Sequence, residues 1–180
     1  FSDNAAAIFG GSAGVVMVDN GLGAVTAGGM QFATSGYLIT GDAVTLTGAQ
    51  ATIRVGDGTP GSASYIATIA SALAGTSQLV KTDLGTLALL GNNSYSGGTR
   101  IEAGTLQIGN GGAIGSIAGD IVNNAALVVN RTGTLALGGA ISGTGTLTQI
   151  GGGTLVLTGT NSYSGGTTIG GRIVQVGGDA

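Results

Sequence analysis

The sequence predicts an all-β fold, a right-handed single-stranded parallel β-helix of about eight coils. Three observations carry that expectation: an extreme glycine content set among branched aliphatics, a long internal repeat, and many short runs of alternating apolar and polar residues. Glycine supplies 39 of 180 residues, while 42% are hydrophobic and only 7% charged. No Gly-X-Y period exists, so a collagen triple helix is excluded, and the aliphatic content argues against disorder. Glycine punctuating short Leu, Ile, Val and Thr runs marks many tight turns between many short strands.

The repeat comes first in weight. Gly85–Gly109 and Gly153–Gly177 align without gaps, with 15 identities in 25 positions. Both contain Asn-Ser-Tyr-Ser-Gly-Gly-Thr, starting at Asn93 and Asn161. The offset between the copies divides into about three coils of some 22 residues. The chain therefore reads as one β-helix segment over 1–180, with internal copies at 85–109 and 153–177.

Strands follow in chain order. Val44 and Leu46 flank Thr45, and Ile53 and Val55 flank Arg54. Ile69, Ser71 and Leu73 alternate in the next stretch. The tripeptide Gly-Thr-Leu then opens runs at Gly85, Gly104, Gly133, Gly145 and Gly153. After it, Leu87 with Leu89, Leu106 with Ile108, Leu135 with Leu137 and Leu155 with Leu157 share one face, the pattern of a strand buried on one side. A sandwich has too few charges here to clothe its outer faces, whereas Thr, Ser, Asn and Gln stack well as ladders in a solenoid.

The block ending in Asn-Ser-Tyr-Ser-Gly-Gly-Thr, preceded by Gly-Thr-Leu and followed by the strand at Gly104–Gly109, resembles the passenger-associated transport repeat of bacterial autotransporters. The lead-in Ile141–Leu147 resembles it too, and the likeness covers Ser77 to Gly177. It implies a type V secreted passenger, displayed on a Gram-negative cell and tethered through its own C-terminal outer-membrane β-barrel. It also implies a structural stalk, part of an adhesin or virulence factor. Asn93, Tyr95, Gly97, Gly98 and Thr99, with Asn161, Tyr163, Gly165, Gly166 and Thr167, form the structural repeat motif. Two departures stand out: Arg172 replaces Gly104, and Gln149 replaces Lys81. A glycine at positive φ cannot be exchanged for arginine without bending the turn differently.

Other chemistries find less support. Cysteine and histidine are absent, which removes thiolate and imidazole metal sites, Cys or Ser-His catalysis, and disulfides. A net charge of −3 with scattered basic residues offers no stripe for nucleic acid. No apolar run approaches the ~20 residues needed to span a bilayer. The chain opens at Phe1 without a basic n-region or signal peptide, as a piece of a longer protein would.

Gly56–Gly61 matches G-x-G-x-x-G. Ile66, Ile69 and Leu73 after it have helix-compatible spacing, and Asp83 lies further on, near where a ribose-binding acid would sit. Pro60 in the turn and the lack of further β-α alternation favour a turn between coils over a dinucleotide site. Asp19 and Asp42 could stack on neighbouring coils as a carboxylate pair for polysaccharide cleavage, but both sit in turn contexts. No catalytic residue, metal ligand or cofactor is assigned. Tyr95 and Tyr163 are expected to cover an apolar edge at a corner, the alternative being platforms for a host glycan or matrix protein. Exposed end coils leave strand edges open to end-to-end association.

Overall fold

Strands of two to six residues, separated by turns rich in glycine, asparagine and serine, bury too little apolar surface to hold alone. The computed structural model, which describes residues 6–177, meets this by winding them into a solenoid in which every paired strand is parallel. The first three coils each give three strands: β1 (Ala6–Phe9), β2 (Val15–Val18), β3 (Val25–Ala27); β4 (Gly29–Phe32), β5 (Leu38–Gly41), β6 (Val44–Leu46); β7 (Gln50–Val55), β8 (Ile66–Ile69), β9 (Leu73–Gly75). The next two give β10 (Gln78–Thr82), β11 (Thr86–Leu89), β12 (Thr99–Ile101) and β13 (Thr105–Ile108). The last three give β14 (Ile121–Asn123), β15 (Ala126–Val129), β16 (Thr134–Leu137), β17 (Ile141–Ser142), β18 (Thr146–Gln149), β19 (Thr154–Leu157), β20 (Thr167–Ile169) and β21 (Ile173–Val176).

Three faces result. The first stacks β1-β4-β7-β10-β12-β14-β17, and the second stacks β2-β5-β8-β11-β13-β15-β18-β20. The third stacks β3-β6-β9 at one end and β16-β19-β21 at the other. Between these, Ser94 and Ser96 donate backbone N–H to the carbonyls of Leu73 and Gly75, and Asn92 bridges to Ser116. The eight strands of the second face count eight coils, and at roughly 4.8 Å per coil the described rod is about 35–40 Å long.

The interior follows from register. Ala67, Leu87, Leu106, Leu127 and Leu147 pair in sequence along the second face, and all are fully buried. Ile69, Leu89, Ile108 and Val129 make the column beside them. Each such side chain contributes ~1.5–3 kcal/mol on burial, and a register slip of one residue would turn the whole set outward. At the N-terminal end Phe9 stacks on Phe32 at 4.7 Å, and the Tyr37 hydroxyl donates to the Gly10 and Ser12 carbonyls.

Coil lengths are uneven. Gln50 and its partner Gln78 on the next coil are 28 residues apart. Later coils are shorter: Glu102 and Asn124, one coil apart, are separated by 22 residues, and Asp120 and Ala140 by 20 residues. The long coil carries a single 3-10 turn, Pro60–Ser64, and Tyr65 is already extended. The helix-compatible spacing of Ile66, Ile69 and Leu73 therefore resolves into β8 and β9, with Ile69 and Leu73 buried and Ile66 facing solvent.

The short coils change how the offset between the copies must be understood. On the first face Val80 pairs with Arg100, Arg100 with Val122 and Val122 with Ser142, so three coils from Val80 end at Ser142. Alignment of the copies instead sets Val80 against Thr148, which lies past Ser142 in β18, on the next face. The first copy runs β10 (first face), β11 (second), Asn93–Ser96 (third), β12 (first), β13 (second). The second runs β18 (second), β19 (third), then β20 (second) and β21 (third). Between β19 and β20, Ser162 and Ser164 donate to the Ile141 and Gly143 carbonyls, a seat on the first face. The copies are rotated by one face rather than stacked in line.

Candidate functional site

The repeated corner is where the sequence concentrates its identities, and the same bonds are made twice. Asn93 Oδ1 accepts the Leu73 N–H at 2.8 Å, and Asn161 Oδ1 accepts the Ile141 N–H at 2.9 Å. Each asparagine also donates Nδ2 two residues back, to Gly91 O at 3.0 Å or Gly159 O at 2.8 Å. The tyrosine hydroxyl then meets the threonine hydroxyl four residues on: Tyr95 with Thr99 at 2.8 Å and Tyr163 with Thr167 at 2.5 Å. Gly98 and Gly166 both take positive φ, at 76° and 85°, where a side chain would be strained. Gly97 is required for a different reason, since a Cβ there would strike the backbone of Ser77 and Gln78. Gly165 meets the same limit against Gly145.

One expectation about these rings is corrected. Tyr95 does not edge a corner but is 0% exposed, and burial pushes its phenol well above the ordinary value, partly offset by the Thr99 bond. With Asn93 packed beside it, the corner carries polar groups inward because each is satisfied. Tyr163, in the final coil, is half-buried. A buried ring offers no platform to a sugar, so only Tyr163 remains within reach of a ligand.

Lys81 and Gln149 occupy equivalent inward positions at a corner. Lys81 is fully buried, with Ile53 below it and Ile101 above. Its Nζ donates to three backbone carbonyls: Thr82 at 2.8 Å, Asp83 at 2.8 Å and Ala103 at 3.1 Å. Burial pushes the ammonium down to about 8, opposed by the nearby Asp83 charge. Gln149 donates Nε2 to the Gly153 carbonyl at 2.8 Å, while its Oε1 is buried without a partner. No sequence signal short of aligning the copies onto the inward phase of the strand would place a lysine inside.

Gly104 takes φ 67°, and a Cβ there would strike the Asp83 and Gly85 carbonyls. Arg172 is not in that conformation; the close approach has moved one residue earlier, to Gly171, where a Cβ would meet Gln149 Oε1 and Gly151 O. The pair Ala103-Gly104 has become Gly171-Arg172, so the glycine moves with the tight spot.

The G-x-G-x-x-G loop does meet Asp83, one long coil away, but the acid is consumed by the protein. Asp83 accepts Arg54 Nε at 2.9 Å, Gly58 N–H at 3.0 Å and Leu84 N–H at 2.8 Å. Burial raises its carboxyl, and those donors outweigh it, holding the group below the usual range. Asp83 is also the one non-glycine residue at positive φ among the described residues, at 64°. The loop is thus a turn clamped by the chain's own carboxylate.

Asp19 and Asp42 follow the paired residues Val18 and Gly41. Asp19 accepts the Gly21 N–H and Asp42 accepts the Asn20 N–H, both at 2.8 Å, as turn residues do. Arg100 and Glu102 form an ion pair beside inward Ile101, and Asn124 also reaches Glu102. Asn123 is buried and caps the next coil through the Thr146 carbonyl at 2.9 Å. Among the described residues no three acidic side chains converge as a metal site would require.

The passenger-associated-transport-repeat family matches residues 79–108 and 147–172, the two rotated copies. The chain is similar to a protein named adhesin BmaC autotransporter, from Brucella suis biovar 1 (strain 1330). They are 42% identical over 238 aligned residues, which take in 83% of this chain and 7% of the relative. This chain therefore corresponds to a small fraction of that relative's length. No solved structure gives a significant match. Two copies of the transport repeat on an uninterrupted parallel solenoid, together with that likeness, place the chain: it belongs to the autotransporter passengers.

Proposed function

We propose that this chain is a stretch of the structural, non-enzymatic stalk of a surface-displayed adhesin. That adhesin is exported by type V secretion and tethered to the outer membrane by the parent protein's own C-terminal β-barrel. The observation that carries this reading is the unbroken interior column from Ala67 to Leu147, which makes a stiff rod without disulfide or cofactor. The paired blocks at Asn93–Thr99 and Asn161–Thr167 serve as corner staples that tie each new coil to the one before. Coil-by-coil burial outside the membrane opposes backsliding during export. Replacing Leu155 and Leu157 by Asp puts charge into the interior and reduces surface display, measured by antibody labelling of intact cells. Undiminished display would count against it.

A second reading has one observation in its favour. All eight strands of the second face lack any charged residue and present Thr68, Thr86, Thr105, Thr146, Thr148 and Thr168 in a flat array. Such a face suits an uncharged host glycan or a matrix protein. Specific retention on glycan or matrix-protein arrays, lost in a Thr105→Lys/Thr146→Lys variant, supports it, and absence of retention removes it. The chain ends present exposed apolar strands, Ile8 and Val15 at one and Ile173 and Val176 at the other, so isolated copies stack end to end.

A further inference from the structure

The contrast between Lys81 and Gln149 points to a ligand. In the first copy a positive charge sits inside the solenoid, held by three backbone carbonyls. At the equivalent corner of the second copy those carbonyls belong to Ile150, Gly151 and Gly171, and the charge is gone. A glutamine stands there instead, 1% exposed, with its donor committed to Gly153 O and its Oε1 without any partner. An unpaired buried carbonyl oxygen is costly, and native proteins rarely leave one so. Oε1 and Gly151 O both crowd the place that a Cβ on Gly171 would take, whereas the first copy has Ala103 there. Loss of the ammonium is thus coupled to gain of an inward oxygen and loss of a methyl group.

We propose that the Gln149 corner binds a monovalent cation of the sodium, potassium or ammonium class, coordinated by Gln149 Oε1 and neighbouring backbone carbonyls, in the role that the Lys81 ammonium plays in the first copy. The donor chemistry selects the class. Calcium and magnesium sites draw on carboxylates, and the one acid at the first corner, Asp83, has Gly151 as its counterpart. Neutral carbonyl oxygens replace the hydration shell of a monovalent ion, as in channel filters. The charges nearest in sequence are arginines turned elsewhere: Arg131 donates to the Ala113 and Gly115 carbonyls, and Arg172 is exposed. The site lies inside the last staple-bearing coils, so its occupancy ties β18 to the Gly170-Gly171 turn, whose N–H groups already bond Gln149 O at 2.8 and 2.9 Å.

The test is amide hydrogen exchange of the whole 180-residue chain in sodium, potassium or ammonium chloride against choline chloride, with calcium chloride as a further arm, all at equal ionic strength. Protection of the Gly170 and Gly171 amides rises about tenfold in the preferred small cation at ten times its Kd, relative to choline. Protection at Leu87 and Leu106 stays unchanged. Gln149→Lys carries its own ammonium and shows equal protection in every salt, and Gln149→Leu loses the cation response with lower protection. Equal protection of the wild type in every salt overturns the proposal even if neither variant folds. So does a response to calcium but not to monovalent ions, or a response that persists in Gln149→Leu.

Discussion

Residues 79–108 and 147–172 share their corner residues and bonds but differ in surroundings. The first copy lies mid-rod, covered by coils on both sides, with Tyr95 and Asn93 buried; the second lies one face further round, in the last described coils, with Tyr163 half-buried. The staple is nevertheless made in the same way on the third face and on the first. The block thus encodes a corner and not a particular side of the rod. Its partners, Leu73 and Ile141, each lie 20 residues before the asparagine, so one short coil is all that it needs to find its seat.

The sharpest way to break that equivalence is to remove both rings. Tyr95→Ala empties a fully buried site and orphans the Thr99 hydroxyl, a loss of about 3–5 kcal/mol by analogy with large aromatic deletions. Tyr163→Ala should lose roughly 1–2 kcal/mol, since the residue is already partly exposed. Solenoids can unfold in parts, so the comparison is best read from urea melts paired with residue-level hydrogen exchange. Equal losses for the two variants would mean that the coils covering a staple matter less than the staple itself.

The next contrast is one of pH. The Lys81 ammonium is lowered from 10.5 to about 8 in the folded chain, so between those values the unfolded chain binds more protons and stability rises with pH. The gain is up to roughly 3 kcal/mol across that window, and Lys81→Gln, which copies Gln149, abolishes it. Above the ordinary tyrosine range the sign reverses, because Tyr95 is held protonated in the folded chain and stability is lost as pH climbs. Wild-type stability should therefore pass through a maximum where the two trends cross, about pH 10, seen as the urea midpoint against pH.

The alternation of Leu87 with Leu89, or Leu155 with Leu157, is enough to read the strands, because each has one wet and one dry side. Rotation of the repeat is not readable from sequence, since identity tells which residues recur and all three faces use the same alternation. Only the short steps between coils fix the phase, and these come from pairing. Lys81 escapes notice as an interior residue because lysine is almost never fully buried. Its alignment with Gln149, between inward positions, is the available signal. The meeting of Asp83 with the Gly56 loop is legible in principle, as the 25 residues between Gly58 and Asp83 come close to one long coil.

A milder exchange of features concerns the turn that follows. Gly104→Arg brings the second copy's residue into a position at φ 67° with carbonyls on two sides, and should lose about 1–3 kcal/mol. Arg172→Gly, the reverse exchange, should change stability by no more than about 0.5 kcal/mol, because an exposed side chain outside the left-handed region is given up. A large effect at both positions would mean that the glycine has not moved with the tight spot.

A small global effect is also expected where the copies differ in charge. Asp83→Gly gives the first copy the residue of the second, Gly151, and relieves a left-handed aspartate at φ 64°. It also frees Arg54 and the Gly58 and Leu84 N–H groups and removes the negative charge near the buried Lys81 ammonium; the Arg54 side chain is 40% exposed, which screens the lost ion pair in part, while that of Asp83 is only 9% exposed. The two changes oppose each other, and the melting midpoint should shift by less than about 1 kcal/mol equivalent. The local consequence is larger. The Asp57–Ser64 turn is held to the rod by that carboxylate, which accepts the Gly58 N–H and lies 3.5 Å from the Ser62 hydroxyl, whereas the Ser62 hydroxyl bond to the Thr59 carbonyl at 2.7 Å is internal to the turn. Limited proteolysis should then cut the variant within this turn at protease levels that leave the wild type intact. A variant as resistant as the wild type would show that the turn is fixed by Pro60 and its own 3-10 bonds, with Asp83 serving only Arg54.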